Sequence, residues 1–302
     1  MLDLRVNIAG VALKNPVITA SGTFNSGKEY AQFFDLNKLG GITVKGVSHE
    51  PWAGNPPPRT TETYAGMLNA VGLQNPGASS FIKEDLPFLR QLDTKVIVNL
   101  CGKTVEDYIA VAEDFAGVEG VHLFELNISC PNIKAGGMAM GTDPKMTESI
   151  TREIKKRTNV PLVVKLSPNV TDIAAIAKAA EQGGADGISL INTLLGMQID
   201  IKKRRPVLGN KMGGLSGPAI KPVAVRMVYQ VAKAVNLPVI GMGGIATGED
   251  AIEFIMAGAT AVAVGMANFA NPLATMEIIN GIEKFMCENG INNLSEIRGC
   301  IE

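Results

Sequence analysis

The sequence lacks several patterns that identify common classes of protein. It has four cysteines in 302 residues, and no two of them lie at the C-x-x-C spacing. This argues against a disulfide framework and against a zinc or iron–sulfur site within the chain. Its two histidines, His49 and His122, are too few for a histidine-rich metal site. We therefore expect no bound metal.

Neither sign of charge is in excess, with 28 Lys and Arg, 29 Asp and Glu and a net charge of −1. Nucleic-acid-binding domains usually carry a basic excess or stripe, so we expect no such partner. No apolar run approaches the ~18 residues of a membrane span. The first residues place Asp3 and Arg5 among apolar ones, which is not typical of a signal peptide. Unpaired thiols suit a reducing compartment, and we expect a cytoplasmic protein without a membrane partner.

Apolar residues make up 46% of the chain and charged residues 19%, which is enough for a large buried core. Short runs rich in apolar and β-branched residues recur along the sequence. Such nearly continuous runs are typical of parallel strands that are covered on both faces. They predict eight strands, at 16–22, 41–47, 95–102, 121–129, 160–168, 185–192, 237–244 and 260–269.

Helical patterns fill the intervals between these strands. Over 171–182 apolar residues recur at i, i+3, i+4 and i+7, with Thr171 as the predicted N-cap and Gly183 at the end. Thr–Asp pairs at capping-box spacing predict the starts of two further helices. These pairs are Thr104 with Asp107 and Thr247 with Asp250.

Eight strands alternating with helices predict a (β/α)8 barrel, and a doubly wound open sheet is the alternative. Although ~150 residues per domain would suggest two domains, a barrel uses more, and we expect one domain over 1–302. Residues 4–8 and 11–14 predict a small hairpin capping the bottom of the barrel. Extra residues follow strands two, four and six, and long loops at this end predict a roof over the mouth. They lie at 46–78, 130–146 and 192–219.

The predicted strands end in polar residues, namely Ser21, Lys45, Asn99, Asn127, Lys165 and Asn192. A lysine inside a barrel needs an anionic or electron-rich partner. Lys45 and Lys165 therefore indicate either a bound ligand or an internal pair with a carboxylate.

Glycine-rich segments end strands seven and eight, at 241–245 and 264–269, and Gly217 follows strand six. Loops in these positions commonly bind phosphate through backbone N–H groups, although glycine also simply permits tight turns. Neither segment is a Rossmann fingerprint, and GKT at 102–104 is not a P-loop because Ile97 replaces the required glycine.

Cys130 lies next to a loop, 132–141, that is rich in glycine and methionine and is a candidate lid. A thiolate there can serve as a base or nucleophile, whereas an inert buried thiol is the alternative, and Cys101 also ends a strand. His122 begins a strand at the opposite end of the barrel, where a structural role is expected. His49 lies in the loop after strand two and is expected to be solvated.

Taken together and in order, a series of segments resembles the class 1 dihydroorotate dehydrogenases: ITASGTF, TVKGVS, GNPPPR, MLNAVGLQNPG, VNLCG, ELNISCPN, VVKLSPN, INT, GGLSGPAIKP, GMGGI and VGMANF. The resemblance covers about residues 2 to 290. It implies a barrel that holds one FMN and oxidises dihydroorotate to orotate in pyrimidine synthesis. It also implies that Cys130 takes a proton from C5 while hydride from C6 passes to the flavin. A serine in place of Cys130 and an N-terminal extension mark the membrane-associated class 2 enzymes, and the sequence shows neither.

The resemblance also implies site residues. The matching FMN positions are Ser21, Lys45, Gly46, Asn99, Asn127, Lys165, Ile191, Gly217, Gly243, Gly244, Gly265 and Met266. The matching orotate positions are Lys45, Asn69, Ala70, Val71, Gly72, Leu73, Asn127, Asn192 and Thr193. Lys45 and Lys165 join Cys130 as catalytic candidates, with Lys165 stabilising negative charge on the reduced flavin. Met266 stands where relatives commonly have threonine, so a hydroxyl contact to phosphate is lost there.

The segments GVSHEPWAGNPPPR and LSGPAIKPVAVRMVYQ look most like class 1B. That class implies a homodimer of this chain with two electron-transfer subunits, which carry FAD and a [2Fe–2S] cluster and pass electrons to NAD. The alternatives are a fumarate-using class 1A enzyme, a phosphate-binding barrel isomerase or lyase without flavin, and a flavoprotein that only relays electrons.

Overall fold

The computed structural model describes residues 2–129 and 140–301. Eight parallel strands close into a barrel in which each strand pairs with the next and the eighth with the first. Each strand lies within its predicted segment, so the barrel prediction is confirmed and the open sheet is wrong. The strands are β1 (Val17–Thr19), β2 (Gly41–Thr43), β3 (Lys95–Leu100), β4 (Leu123–Asn127), β5 (Leu162–Lys165), β6 (Gly187–Leu190), β7 (Val239–Met242) and β8 (Ala261–Val264).

Alternation along the strands divides the apolar residues between two cores. In β3, Val96 and Val98 point outward into the large layer between barrel and helices. Ile97 points inward and joins the smaller cluster inside the barrel. Both faces of the strands are buried away from water, which explains why their sequences are continuous apolar runs rather than alternating ones.

Helices surround the barrel and bury one face each against it. The longer α-helices are Val105–Asp114, Pro144–Lys155, Ile173–Gln182, Lys221–Ala234, Gly248–Met256 and Ala274–Glu288. A stretch of α and π turns runs through Ala78–Ser80, Phe81–Asp85 and Leu86–Leu89. Shorter helical turns are Tyr30–Gln32, Leu36–Lys38, Pro218–Ile220, Ala267–Ala270 and Leu294–Glu296. Within the described residues, none of these helices combines the length and apolar character that a bilayer crossing requires.

The predicted capping boxes are confirmed at Thr104 and Thr247, where each side chain accepts from the N–H three residues later. The predicted cap at Thr171 is wrong. Asp172 caps that helix instead, because its carboxylate accepts from the N–H groups of both Ala174 and Ala175 at 3.0 and 3.1 Å. A carboxylate at the N-cap satisfies two donors that a threonine one residue earlier does not reach.

A hairpin of Val6–Ile8 and Val11–Leu13 closes the bottom of the barrel, as predicted. Ile8 and Leu13 are almost completely buried. They pack in one cluster with inward residues of the strands, including Ile18 and Ile97. The hairpin therefore seals the amino-terminal end, and the opposite end remains for a site.

Two of the long loops build a roof over the carboxyl-terminal mouth. Strands Leu194–Met197, Met212–Ser216, Gly66–Asn69 and Thr60–Thr63 pair in that order as an antiparallel sheet. Asn69 lies opposite Gly214, so the loops after β2 and β6 are joined directly. A two-stranded ribbon, Ile199–Asp200 with Arg205–Pro206, extends this structure. The third predicted loop segment is 130–146, and its residues 130–139 lie outside the described residues.

The buried hairpin yields a stability prediction. We expect Ile8→Ala to lower the free energy of unfolding by about 2–5 kcal/mol, since it leaves a cavity beneath the barrel. Ile201→Ala removes the same atoms from a residue that is 81% exposed, and we expect a change below about 0.5 kcal/mol. Urea unfolding followed by circular dichroism measures both. Equal losses in the two variants would show that the hairpin does not plug the barrel.

Candidate active site

A cavity of about 420 Å³ lies at the barrel mouth beneath the roof, and its walls come from the carboxyl ends of the strands and from both joined loops. Every residue of the predicted FMN set lines it, namely Ser21, Lys45, Gly46, Asn99, Asn127, Lys165, Ile191, Gly217, Gly243, Gly244, Gly265 and Met266. Most of the predicted orotate set lines it too, namely Lys45, Asn69, Val71, Gly72, Leu73, Asn127, Asn192 and Thr193. The fold thus brings both predicted sets to one place.

Ala70 is the exception in the orotate set, because it does not line the cavity. Its N–H donates to the carbonyl of Arg59 at 2.7 Å, and its carbonyl accepts from Nδ2 of Asn55 at 3.0 Å. Its side chain packs with Leu68 and Leu208. Ala70 therefore holds the loop together from behind while its neighbours face the cavity.

Of the two thiols that the sequence places after strand ends, Cys101 and Cys130, the structure describes only Cys101. Cys130 and residues 132–139 of the predicted lid lie outside the described residues. Cys101 is buried and does not line the cavity. Its Sγ donates to Oδ1 of Asn99 at 3.2 Å and accepts from Nδ2 of Asn127 at 3.7 Å. Cys101 is thus a packing residue behind the site.

Lys165 ends β5 and reaches the floor of the cavity with only 4% of its surface exposed. Its Nζ donates to Oγ of Ser21 at 3.3 Å and lies 3.5 Å from Oε2 of Glu125. The sequence allows two interpretations of this lysine, a bound ligand or an internal pair with a carboxylate. In the structure Lys165 pairs with a carboxylate inside the barrel and also lines the cavity.

Sequence reasoning missed Glu125, which is 2% exposed on the inner face of β4. Its carboxylate accepts from Oγ of Ser189 at 2.8 Å and from Nδ2 of Asn99 at 2.5 Å. The signal that reveals it is strand alternation, because Glu125 lies two residues before Asn127 and so shares its face. The apolar residues around it hid this polar position.

A continuous line of hydrogen bonds runs from Glu125 along one wall of the mouth. Asn127 donates from Nδ2 to Oδ1 of Asn99 at 3.2 Å. Ser129 donates from Oγ to Oδ1 of Asn127 at 2.9 Å and accepts from Nδ2 of Asn192 at 2.8 Å. The wall therefore presents asparagine amides in fixed orientations, which suits a planar ligand that carries amide donors and acceptors.

The opposite wall is a glycine cradle. Gly217, Gly243 and Gly244 have φ of +107°, +129° and +80°, a region that favours glycine. A Cβ at Gly217 would lie 2.5 Å from Sδ of Met266 and 2.7 Å from Cα of Gly66. The close fit leaves no room for a side chain.

The residues of this cradle and the adjoining turn include backbone N–H groups that have no protein partner among the described residues. Among the described residues, the N–H groups of Gly243, Gly244, Gly265 and Met266 donate to no protein acceptor. Convergent unpaired N–H groups are the donor set that holds a phosphate. The residues present therefore fit the phosphate end of a flavin mononucleotide, and Met266 offers a backbone N–H there but no hydroxyl.

Comparisons with known proteins agree with this geometry. A sequence model of the family described as dihydroorotate dehydrogenase matches residues 3–286. A protein of Alkaliphilus metalliredigens is 64% identical over 300 residues, covering 99% of each chain. One from Lachnoclostridium phytofermentans is 63% identical over 301 residues, covering 100% of each. One from Thermoanaerobacter pseudethanolicus is 55% identical over 303 residues, covering 100% of this chain and 99% of its own. Each is named dihydroorotate dehydrogenase B (NAD(+)), catalytic subunit.

Both histidines lie away from the cavity. Nδ1 of His49 lies 2.7 Å from Oδ2 of Asp114, and this hydrogen bond raises the pKa of His49 above its usual value. Nδ1 of His122 accepts from the backbone N–H of Val96 at 3.1 Å. Burial lowers the pKa of His122, with a smaller contribution from the charge of Lys95.

These environments predict that the two histidines titrate on opposite sides of the usual histidine pKa of about 6.5. In an NMR titration we expect His49 to hold its proton to a higher pH than His122. Asp114→Asn should lower the pKa of His49, because the carboxylate favours the charged ring, and should leave His122 unchanged. If His49 titrates below His122, the ion pair with Asp114 does not form in solution.

Proposed function

The chain belongs to the dihydroorotate dehydrogenase family, and we propose that it is the catalytic subunit of an NAD-linked enzyme that oxidises dihydroorotate to orotate in pyrimidine synthesis. The observation that carries this proposal is the single cavity at the barrel mouth. It gathers a buried lysine, a wall of asparagine amides and a cradle of backbone donors. Relatives that are similar over their full length are named as the catalytic subunit of dihydroorotate dehydrogenase B (NAD(+)).

FMN is the cofactor that these residues fit, one per chain. Gly243, Gly244, Gly265 and Met266 would hold its phosphate through their N–H groups, and Gly217 leaves space beside them. When bound, FMN supplies the acceptor for a hydride from C6 of the substrate. Lys165, which is paired with Glu125 below the cavity, would stabilise negative charge on the reduced flavin above it.

The asparagine wall suits the substrate. Orotate is a planar anion with amide groups, and asparagine side chains both donate to and accept from such groups. Asn69, Asn127 and Asn192 line the cavity on the roof side and the wall, with Lys45 to offset the carboxylate. These residues orient the ring so that C5 and C6 present their hydrogens to different partners.

The remaining step is removal of the C5 proton, which we assign to Cys130 on the strength of the family resemblance. A thiolate is a competent base near neutral pH, whereas a serine hydroxyl is a poorer one. Ser129, immediately before it, is anchored to Asn127 and Asn192.

Electrons leave through a partner in this proposal. No two cysteines have the spacing of an iron–sulfur site, and the chain has no dinucleotide fingerprint. We propose two electron-transfer subunits, carrying FAD and a [2Fe–2S] cluster, on a homodimer of this chain. The relatives' names specify NAD(+), which favours NAD over fumarate as the acceptor.

The glycine cradle gives a test of FMN binding. Gly217→Ala forces a Cβ against Met266 at a positive φ, so we expect FMN affinity to fall at least about tenfold. Gly117→Ala is the control, because Gly117 also has a positive φ of +72° but has open space around it. Flavin absorbance per chain and FMN titration of the stripped protein measure both. A Gly217→Ala variant with the parent's affinity would remove the cradle from the cofactor site.

Removal of the proposed base gives a second test. Cys130→Ala should keep FMN and lose about 10²–10⁴-fold of dihydroorotate oxidation, as is usual when a general base is removed. Cys130→Ser should recover part of the rate as the pH is raised. Cys287→Ser is the control, because it changes an exposed thiol away from the cavity. Near-normal turnover by Cys130→Ala at pH 7 would rule out the base assignment.

The identity of the final electron acceptor is tested first with the chain alone. With dihydroorotate it should reduce an artificial dye but use NAD and fumarate poorly, and adding the electron-transfer subunit should switch on NAD reduction. The dye rate should change little, because the chemistry at the flavin is the same. Efficient fumarate reduction by the chain alone would instead support a class 1A enzyme.

A further inference from the structure

The carboxylate of Glu125 is the fixed point of the hydrogen-bonded wall. An ionised carboxylate only accepts hydrogen bonds, whereas an asparagine amide has a donor end and an acceptor end. At 2.5 Å from Oε2, the amide of Asn99 must present its Nδ2 to Glu125. Its Oδ1 is therefore left to face the neighbours above it.

The orientation of the Asn99 amide constrains the next residue along the wall, and that residue constrains the one after it. Because Oδ1 of Asn99 accepts, the next amide must present Nδ2, and Asn127 does so at 3.2 Å. Oδ1 of Asn127 then accepts from Ser129 at 2.9 Å. The oxygen of Ser129 is left to accept from Asn192 at 2.8 Å. The buried negative charge thus fixes the end that Asn99 presents and favours the observed order along the wall. Backbone N–H groups support that order further on, because Ser129 donates to Oδ1 of Asn127 at 3.4 Å and Thr193 to Oδ1 of Asn192 at 2.8 Å.

We propose that Glu125 is a positioning residue, which orients the amides of Asn99 and Asn127 and thereby sets the donors and acceptors offered to the substrate. The proposal rests on the proposed function for the identity of that substrate. Glu125 does not line the cavity, so it acts through its neighbours.

Glu125 has a second contact, with Lys165, and the two effects must be separated. The ion pair spans 3.5 Å, which is longer than the contact with Asn99. If Glu125 served only as a counter-charge for Lys165, any neutral side chain would have the same effect. If it orients the amides, a neutral side chain that still accepts a hydrogen bond should preserve the order.

Two variants that remove the same charge make this comparison. In Glu125→Gln the side-chain oxygen still accepts from Asn99, while its Nε2 donates to the hydroxyl of Ser189. In Glu125→Met no acceptor remains, and the amide of Asn99 is free to turn. Glu283→Gln, on the exposed face of the helix Ala274–Glu288, is the control for loss of a negative charge.

The measurement is the dissociation constant of orotate, titrated through the change that it causes in the absorbance of bound FMN, with flavin content and melting temperature recorded for each variant. We expect Glu125→Gln and Glu283→Gln to stay within about threefold of the parent. We expect Glu125→Met to bind at least about tenfold more weakly, since a buried donor has lost its partner. Equal affinities in the Gln and Met variants would overturn the proposal, whether both match the parent or both are weakened.

A double-mutant cycle provides the same test with smaller changes, should the Met variant not fold. Ser189→Ala removes the acceptor for Nε2 of the glutamine, so the glutamine amide can then turn its donor end toward Asn99. We expect Glu125→Gln with Ser189→Ala to weaken orotate binding by more than the product of the two single effects, by about tenfold or more. Additive effects would contradict the proposal. A parent protein that holds FMN but shows no response to orotate would contradict the proposed function instead.

Discussion

Closing eight short parallel strands into a barrel points every second side chain into an interior that excludes water. Each inward polar group therefore needs a partner within the barrel. At the bottom of the barrel the inward residues Ile8, Leu13 and their neighbours are apolar, so their side chains need no hydrogen-bond partner. Toward the mouth it is met by pairing, because Glu125 is engaged by Lys165, Asn99 and Ser189. The polar floor of the cavity is thus built as one connected unit.

That connection ties the polar side chains of the site to the strands of the barrel. The lysine and asparagines come from the ends of β3, β4 and β5, which the barrel holds in register. The roof adds residues from two loops that are distant in sequence, and pairing of Asn69 with Gly214 fixes them against each other. A planar ligand between floor and roof meets donors and acceptors whose directions are set by the fold.

The sequence predicted much of this arrangement because its signals are local. Apolar runs located all eight strands, and Thr–Asp spacing located two helix starts, because each depends on neighbouring residues. The partner of Lys165 was missed because Glu125 lies 40 residues earlier in the chain, and only barrel closure brings the two together. Motif matching assigns the whole segment 69–73 to the substrate, whereas the side chain of Ala70 packs with Leu68 and Leu208 and does not line the cavity. Asp172 replaced Thr171 as a cap because two adjacent polar residues compete for the same N–H groups.

The central claim is that the cavity holds a flavin that dihydroorotate reduces. The most direct measurement is the absorbance spectrum of the purified chain, loaded with FMN and mixed with dihydroorotate without oxygen. The account predicts that the yellow absorbance of the oxidised flavin bleaches and that orotate forms in equal amount. A chain that stays colourless after FMN is added, or a yellow chain whose spectrum dihydroorotate leaves unchanged, would contradict it.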